Sequence, residues 1–179
     1  MRSSVFVLLV VGFLIGGQTV EAADASPEAP TARLDGAAIP LSEVPKFHCH
    51  DGRYPVIHCF TTEISRDRDA AAATQAEAGR AGVSSEVDLE SSHLVYYVTF
   101  YQHAGYGGAS YTTWQPLADL STMFWNDIIS SFKSLNGQRP KWYVHANYGT
   151  PSYQWTAGQQ VENVGESAND RFSSVKNVP

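Results

Sequence analysis

Apolar and polar positions alternate with different periods along the chain, and each period predicts a different element. Val5 to Ile15 is a continuous apolar run, preceded by Arg2 and followed by small and polar residues as far as Ala22. That run is too short for a membrane span, which needs about 20 residues, and it has the layout of a secretion signal. Residues 1–22 are therefore expected to be removed, leaving a chain without a membrane span in an oxidising, extracellular setting. From Asp24 to about Val44 large apolar residues are sparse among Ala, Pro and Glu, and residues 23–46 read as a flexible spacer. Thr62 to Gly82 predicts a helix: a Thr cap, the charged block SRDRD, an Ala run, and Gly79 and Gly82 as stops. Its Ala-rich faces predict a solvated or loosely docked helix. Ser84 to Ser92 follows as a polar linker. At Leu94 the pattern changes to LVYYVTFYQ, which mixes β-branched and aromatic residues as a strand does, before the Gly-rich turn HAGYGGAS.

That strand and turn recur 42 residues later. YQHAGYGGASYTTW from Tyr101 lies over YVHANYGTPSYQWT from Tyr143 with seven identities in fourteen positions, so chance similarity is a poor account of it. NDIISSFKSL from Asn126 lies over NDRFSSVKNV from Asn169 at an offset of 43, which places a one-residue insertion between the two blocks. Residues 93–179 are an internal duplication. One copy of short strands joined by Gly and Pro turns cannot close a core, whereas two copies packed face to face can form an all-β sandwich.

Composition divides the chain at the same place. Residues 24–92 carry 6 basic and 12 acidic side chains, and residues 93–179 carry 5 of each, so the net charge of −6 belongs to the extension. All four Trp and eight of nine Tyr fall after residue 93, where a dense aromatic core is expected. The acidic balance argues against nucleic acid as a partner. Both cysteines lie in the extension, in FHCHDGRYPVIHCF. Asp51-Gly52 and Tyr54-Pro55 supply turn chemistry between Cys49 and Cys59, so a disulfide-closed loop is expected over 47–60, stabilising by roughly 2–3 kcal/mol. The rival reading is a zinc or copper site using His48, His50 and His58 with the two thiols. Export favours the disulfide.

The repeated residues resemble the Greek-key motif of the βγ-crystallin superfamily, in which an aromatic corner is followed by a turn Gly and later by a Ser. Tyr101, Tyr106 and Gly108 carry the resemblance in a first Greek key of about 94–136. Tyr143 and Tyr148 carry it in a second of about 140–178, where Thr150 stands in place of the usual Gly. A positive φ there would strain a β-branched residue. The resemblance implies a two-Greek-key β-sandwich over about half of the chain.

Microbial members of that superfamily bind calcium through N/D-N/D-x-x-S/T-S, and the chain has this pattern at Asn126–Ser131 and again at Asn169–Ser174. Calcium takes oxygen ligands, and Asn, Asp and Ser supply amide, carboxylate and hydroxyl oxygens on one short loop. The resemblance implies two Ca2+ ions, each drawing on both copies. Asn126, Asp127, Ser130, Asn169, Asp170 and Ser173 would contribute side chains, and Ile128, Arg171, Gln102 and Val144 backbone carbonyls. Without metal the same loops can close as Asx turns. His103 and His145, at equal places in both copies, are expected to pack at the corners, and Trp114, Trp125, Trp142 and Trp155 to be core or rim aromatics. None of G-x-S-x-G, H-E-x-x-H, a P-loop or a dinucleotide fingerprint is present, so no enzyme is expected. A Greek-key proteinase inhibitor, with a protease as partner, and a cell-surface or polysaccharide-binding module are the alternatives.

Overall fold

The computed structural model describes residues 29–80, 98–134 and 137–178. The expected signal peptide and the polar linker lie outside them. Among the described residues, no helix is long and apolar enough to cross a membrane.

The first Greek key starts with β5 (Val98–His103), turned by a 3-10 segment (Ala104–Tyr106) into β6 (Gly107–Thr113). Tyr101 pairs with Ser110 and Phe100 with Tyr111 in antiparallel register. The turn needs left-handed backbone, which Gly105 (φ 67°) and Tyr106 (φ 60°) provide. Tyr106 then folds against Tyr101, with ring centroids 5.5 Å apart. The fourth strand of this unit is β7 (Ser131–Ser134). The second copy repeats the plan with β8 (Pro140–His145), a 3-10 segment (Ala146–Tyr148), β9 (Gly149–Gln154), β10 (Gln160–Val161) and β11 (Ser174–Asn177). Tyr143 and Tyr148 make the matching corner at 5.6 Å. Lys133 lies over the first pair of tyrosines and Lys176 over the second, so the repeat extends to a cation–π contact. Thr150 does not suffer the expected strain. The left-handed residues of the second turn are Asn147 and Tyr148, and Thr150 lies within β9.

The two copies exchange their third segments. β10 of the second copy pairs with β7 of the first, Val161 opposite Phe132. In return Leu117 of the first copy bridges Val175 of β11, with backbone bonds of 2.9 Å in both directions. Each half therefore completes the other's sheet. Phe100, Trp125, Phe132, Trp142 and Phe172 are almost wholly buried between the sheets. The Trp142 ring meets Phe172 at 5.0 Å and Phe132 at 5.3 Å, within the range of favourable aromatic pairing.

The N-terminal extension departs from expectation. In place of a flexible spacer over 31–46 there are β1 (Thr31–Leu34), β2 (Ala37–Ile39) and a 3-10 turn (Leu41–Lys46). Ala32, Leu34, Ile39, Leu41 and Val44 supply enough apolar contact, packed on the core, to fix that segment. After it come β3 (His48–Arg53), β4 (Val56–Phe60) and α1 (Glu63–Arg80). β3 pairs in parallel with β6, His48 opposite Ser110, so the extension continues the first sheet in the order β10-β7-β5-β6-β3-β4-β1-β2. The second sheet is β11-β8-β9.

The expected loose helix is also corrected. α1 buries Arg66, Ala70, Ala73 and Ala78 along one stripe. Small side chains allow a close approach to the sheet rather than preventing burial. A Cβ at Gly52 would lie 3.3 Å from that of Ala73 and 3.1 Å from the Trp114 ring, so a side chain there would force these neighbours to give by a few tenths of an ångström. The helix covers the outer face of the sheet: Glu63 accepts a 2.6 Å hydrogen bond from the Tyr101 hydroxyl, and the Arg66 guanidinium bonds Ser110. Val98 to Tyr101 are all buried, so both faces of β5 are covered.

Candidate functional site: two interlocked loops

The two N-D-x-x-S-S segments follow short turns and lead into β7 and β11. Asp127 (φ 57°) and Asp170 (φ 52°) take the left-handed conformation, which Asp tolerates better than most residues. Their amides cross between the copies. Asp127 donates its N–H to the carbonyl of Phe172 at 3.1 Å, and Asp170 donates to that of Ile129 at 3.2 Å. Each loop is thus held by the other.

The serines divide the work. The Ser131 hydroxyl donates to the His103 carbonyl at 2.6 Å and accepts from the Tyr106 amide at 3.2 Å. Ser174 repeats this with the His145 carbonyl and the Tyr148 amide, at 2.7 and 3.1 Å. These second serines tie each loop to its hairpin. The first serines lie nearer the surface, where the Ser130 hydroxyl meets the Gln102 carbonyl at 2.8 Å and Ser173 meets that of Val144 at 2.7 Å. Each pair sets two oxygens, a hydroxyl and a carbonyl, side by side.

A depression in the second copy is lined by Val144, His145, Asp170, Arg171 and Ser173, together with Asp127 from the first. The structure therefore gathers residues of both motifs at one point. Asn126 and Asn169 donate their side-chain amides to the neighbouring carboxylates at 2.6 and 2.7 Å, and so orient Asp127 and Asp170. Among the described residues neither carboxylate is ion-paired; Arg171 is drawn back along its own loop to the Ser167 carbonyl at 3.0 Å. The copies differ at Gln102 and Val144. Gln102 donates its side-chain amide to the Pro45 carbonyl at 2.7 Å, so the extension braces the first hairpin and not the second. His145 on the wall of the depression was not foreseen as part of it; its equal spacing with His103 was the only available sign.

The extension carries a second polar cluster. Cys49 and Cys59 are disulfide-bonded across β3 and β4, as expected, which removes both thiols from the rival metal reading. His48 bonds Ser110 through Nδ1 at 2.8 Å and lies outside the donor cluster of His50, His58 and Asp69. The neighbouring cross-strand pair is His50 and His58, with rings stacked at 5.5 Å. Both face Asp69 of α1: His50 Nε2 is 2.9 Å and His58 Nδ1 3.5 Å from its Oδ2. Arg53 approaches the other carboxylate oxygen at 3.6 Å. Burial, opposed by the hydrogen bond that His50 donates to the Asp69 carboxylate, holds His50 down at about 4. Beside it Asp51 is pushed up to about 6 by burial, although it accepts bonds from Thr113, the Trp114 amide and Gln115. Asp69 sits in a charged block that reads as solvated, and only helix docking brings it to the histidines.

The fold defines a two-Greek-key sandwich whose repeats interlock through their loops. No family model and no curated protein matches the chain. Among solved structures, a double mutant of a βγ-crystallin domain from Clostridium beijerinckii is 33% identical over 46% of this chain and 97% of its own, with a TM-score of 0.42. A βγ-crystallin from an archaeon is 25% identical over 47% of this chain and 99% of its own, with a TM-score of 0.40. A double mutant of clostrillin in complex with nickel is 30% identical over 48% of this chain and all of its own, with a TM-score of 0.42. With a third of its residues identical across nearly the whole clostridial domain, the duplicated half of this chain belongs to the βγ-crystallin superfamily.

Proposed function

We propose that the chain is a secreted, non-enzymatic, calcium-binding βγ-crystallin-like protein in which two Ca2+ ions stabilise the Greek-key sandwich. The observation that carries this reading is the reciprocal crossing of the loops, which puts Asp127 of one copy beside Val144, Arg171 and Ser173 of the other. The donor set fits the ion: carboxylates of Asp127 and Asp170, hydroxyls of Ser130 and Ser173, and carbonyls of Gln102, Val144, Ile128 and Arg171 are all hard oxygens. When bound, calcium supplies a dication that offsets the carboxylate charge and joins the two copies electrostatically. Asn126 and Asn169 hold the carboxylates in place, and Ser131 and Ser174 fix the loops to the hairpins. With one carboxylate for each ion, affinity falls in the moderate, extracellular range. The disulfide and the signal-like N-terminus support secretion.

A ligand at 100 times its dissociation constant stabilises by about 2.7 kcal/mol per site. The expected result is a higher melting temperature in millimolar calcium than in EDTA, with heat of binding by calorimetry. Ser130→Arg combined with Ser173→Arg should remove the shift, because each places a cation at a ligand position. An unchanged melting temperature and no binding heat would overturn the reading. A polysaccharide-binding role would have to rely on side chains other than the best-hidden tryptophans, since Trp125 and Trp142 are fully buried.

A further inference from the structure

We propose that His50, His58 and Asp69 form a second kind of metal site, one for a borderline transition-metal dication such as Zn2+. It is independent of the calcium reading. Two imidazole nitrogens and one carboxylate suit zinc, copper or nickel, whereas calcium takes oxygen. The three donor atoms all lie within 4.8 Å of one another. Ligands about 2.0–2.2 Å from a tetrahedral zinc stand roughly 3.3–3.5 Å apart, so the 2.9 and 3.5 Å separations to Asp69 need little change. Three elements supply the donors. β3 and β4 are locked in register beside the pair by the Cys49–Cys59 disulfide, and α1 is seated by its buried alanine stripe. Three protein ligands leave a fourth position for water or an outside donor.

Two features set the strength of the site and supply its signature. The Gly52 amide donates to His50 Nδ1 at 3.2 Å, so His50 carries its proton on Nε2, toward Asp69. An ion takes the place of that proton, which moves to Nδ1, and the Gly52 amide then loses its acceptor. Arg53, at 3.6 Å from Asp69, competes as a cation and, being partly exposed, can swing away. Zinc binding should therefore be moderate, visible at Gly52, and stronger without Arg53.

The experiment uses the mature chain with its disulfide intact, in saturating calcium, titrated with Zn2+ by calorimetry and by amide NMR. The expected result is one zinc per chain, a shifted Gly52 amide, at least tenfold weaker binding in Asp69→Asn and in His58→Gln, and tighter binding in Arg53→Ala. His103→Ala with His145→Ala should leave the zinc isotherm unchanged. A wild-type near-ultraviolet circular dichroism spectrum and a cooperative thermal transition verify folding of each variant, and if Asp69→Asn fails that check, His58→Gln decides. Absence of zinc uptake overturns the proposal. So does uptake that His58→Gln leaves unaltered, which assigns it to other histidines.

Discussion

At the scale of single residues, Asp51 and His50 are neighbours that burial drives in opposite directions. With its carboxyl raised from 3.8 to about 6, Asp51 contributes stability that is full below pH 3.8 and lost as pH rises through 6. His50, lowered from 6.5 to about 4, contributes stability that is full above pH 6.5 and lost as pH falls through 4. The two contributions oppose each other over one window, and the wild-type profile should be comparatively flat there. Asp51→Asn leaves the histidine uncompensated. Unfolding free energies from chemical denaturation in chelator should then fall more steeply between pH 6.5 and 4 than in wild type, by roughly 3 kcal/mol across the window. Parallel profiles for the two proteins would contradict the assignment. The loop residues behave differently: Asp127 and Asp170 are exposed and positioned by their asparagines, so their value lies in direction rather than burial.

Among the elements, α1 shows how composition misleads when taken alone. The cap and the glycine stops placed a helix over Thr62–Gly82, and it is found over Glu63–Arg80. Its seating was not legible, because a run of alanines reads the same whether it faces water or lies on a sheet. Gly52 is the complementary piece, and Gly52→Val should push α1 off β3 at a cost of about 1–3 kcal/mol in chemical denaturation. An unchanged midpoint would mean that the helix is not seated there. The hairpins were legible almost in full, because corner tyrosines and turn glycines act within a few residues of each other. Thr150 was the exception: the left-handed positions fall at Asn147 and Tyr148, so the missing glycine has no cost there.

For the whole molecule, the extension and the duplicated half share one sheet. Residues 93–179 alone would expose the edge of β6 that β3 pairs with, and would leave the Tyr101 hydroxyl without Glu63 of α1. That fragment should still bind calcium, since both loops lie within it, but should melt lower than the full mature chain and self-associate through the bare edge. Calorimetry and sedimentation on the two proteins would check this; equal melting temperatures and a monomeric fragment would count against it.

Taken by itself, the sequence determined the duplication, the paired N-D-x-x-S-S loops, the disulfide and the helix, because each is written in residues close together in the chain or repeated at a constant offset. Only the tertiary structure decided which sheet the extension joins, with His48 opposite Ser110 62 residues away, how the third segments exchange, and that Asp127 meets the loop of the other copy. It also decided that Asp69 faces His50 and His58. Such pairings depend on burial and backbone hydrogen bonding summed over distant segments, and no local pattern of side chains encodes a distant partner.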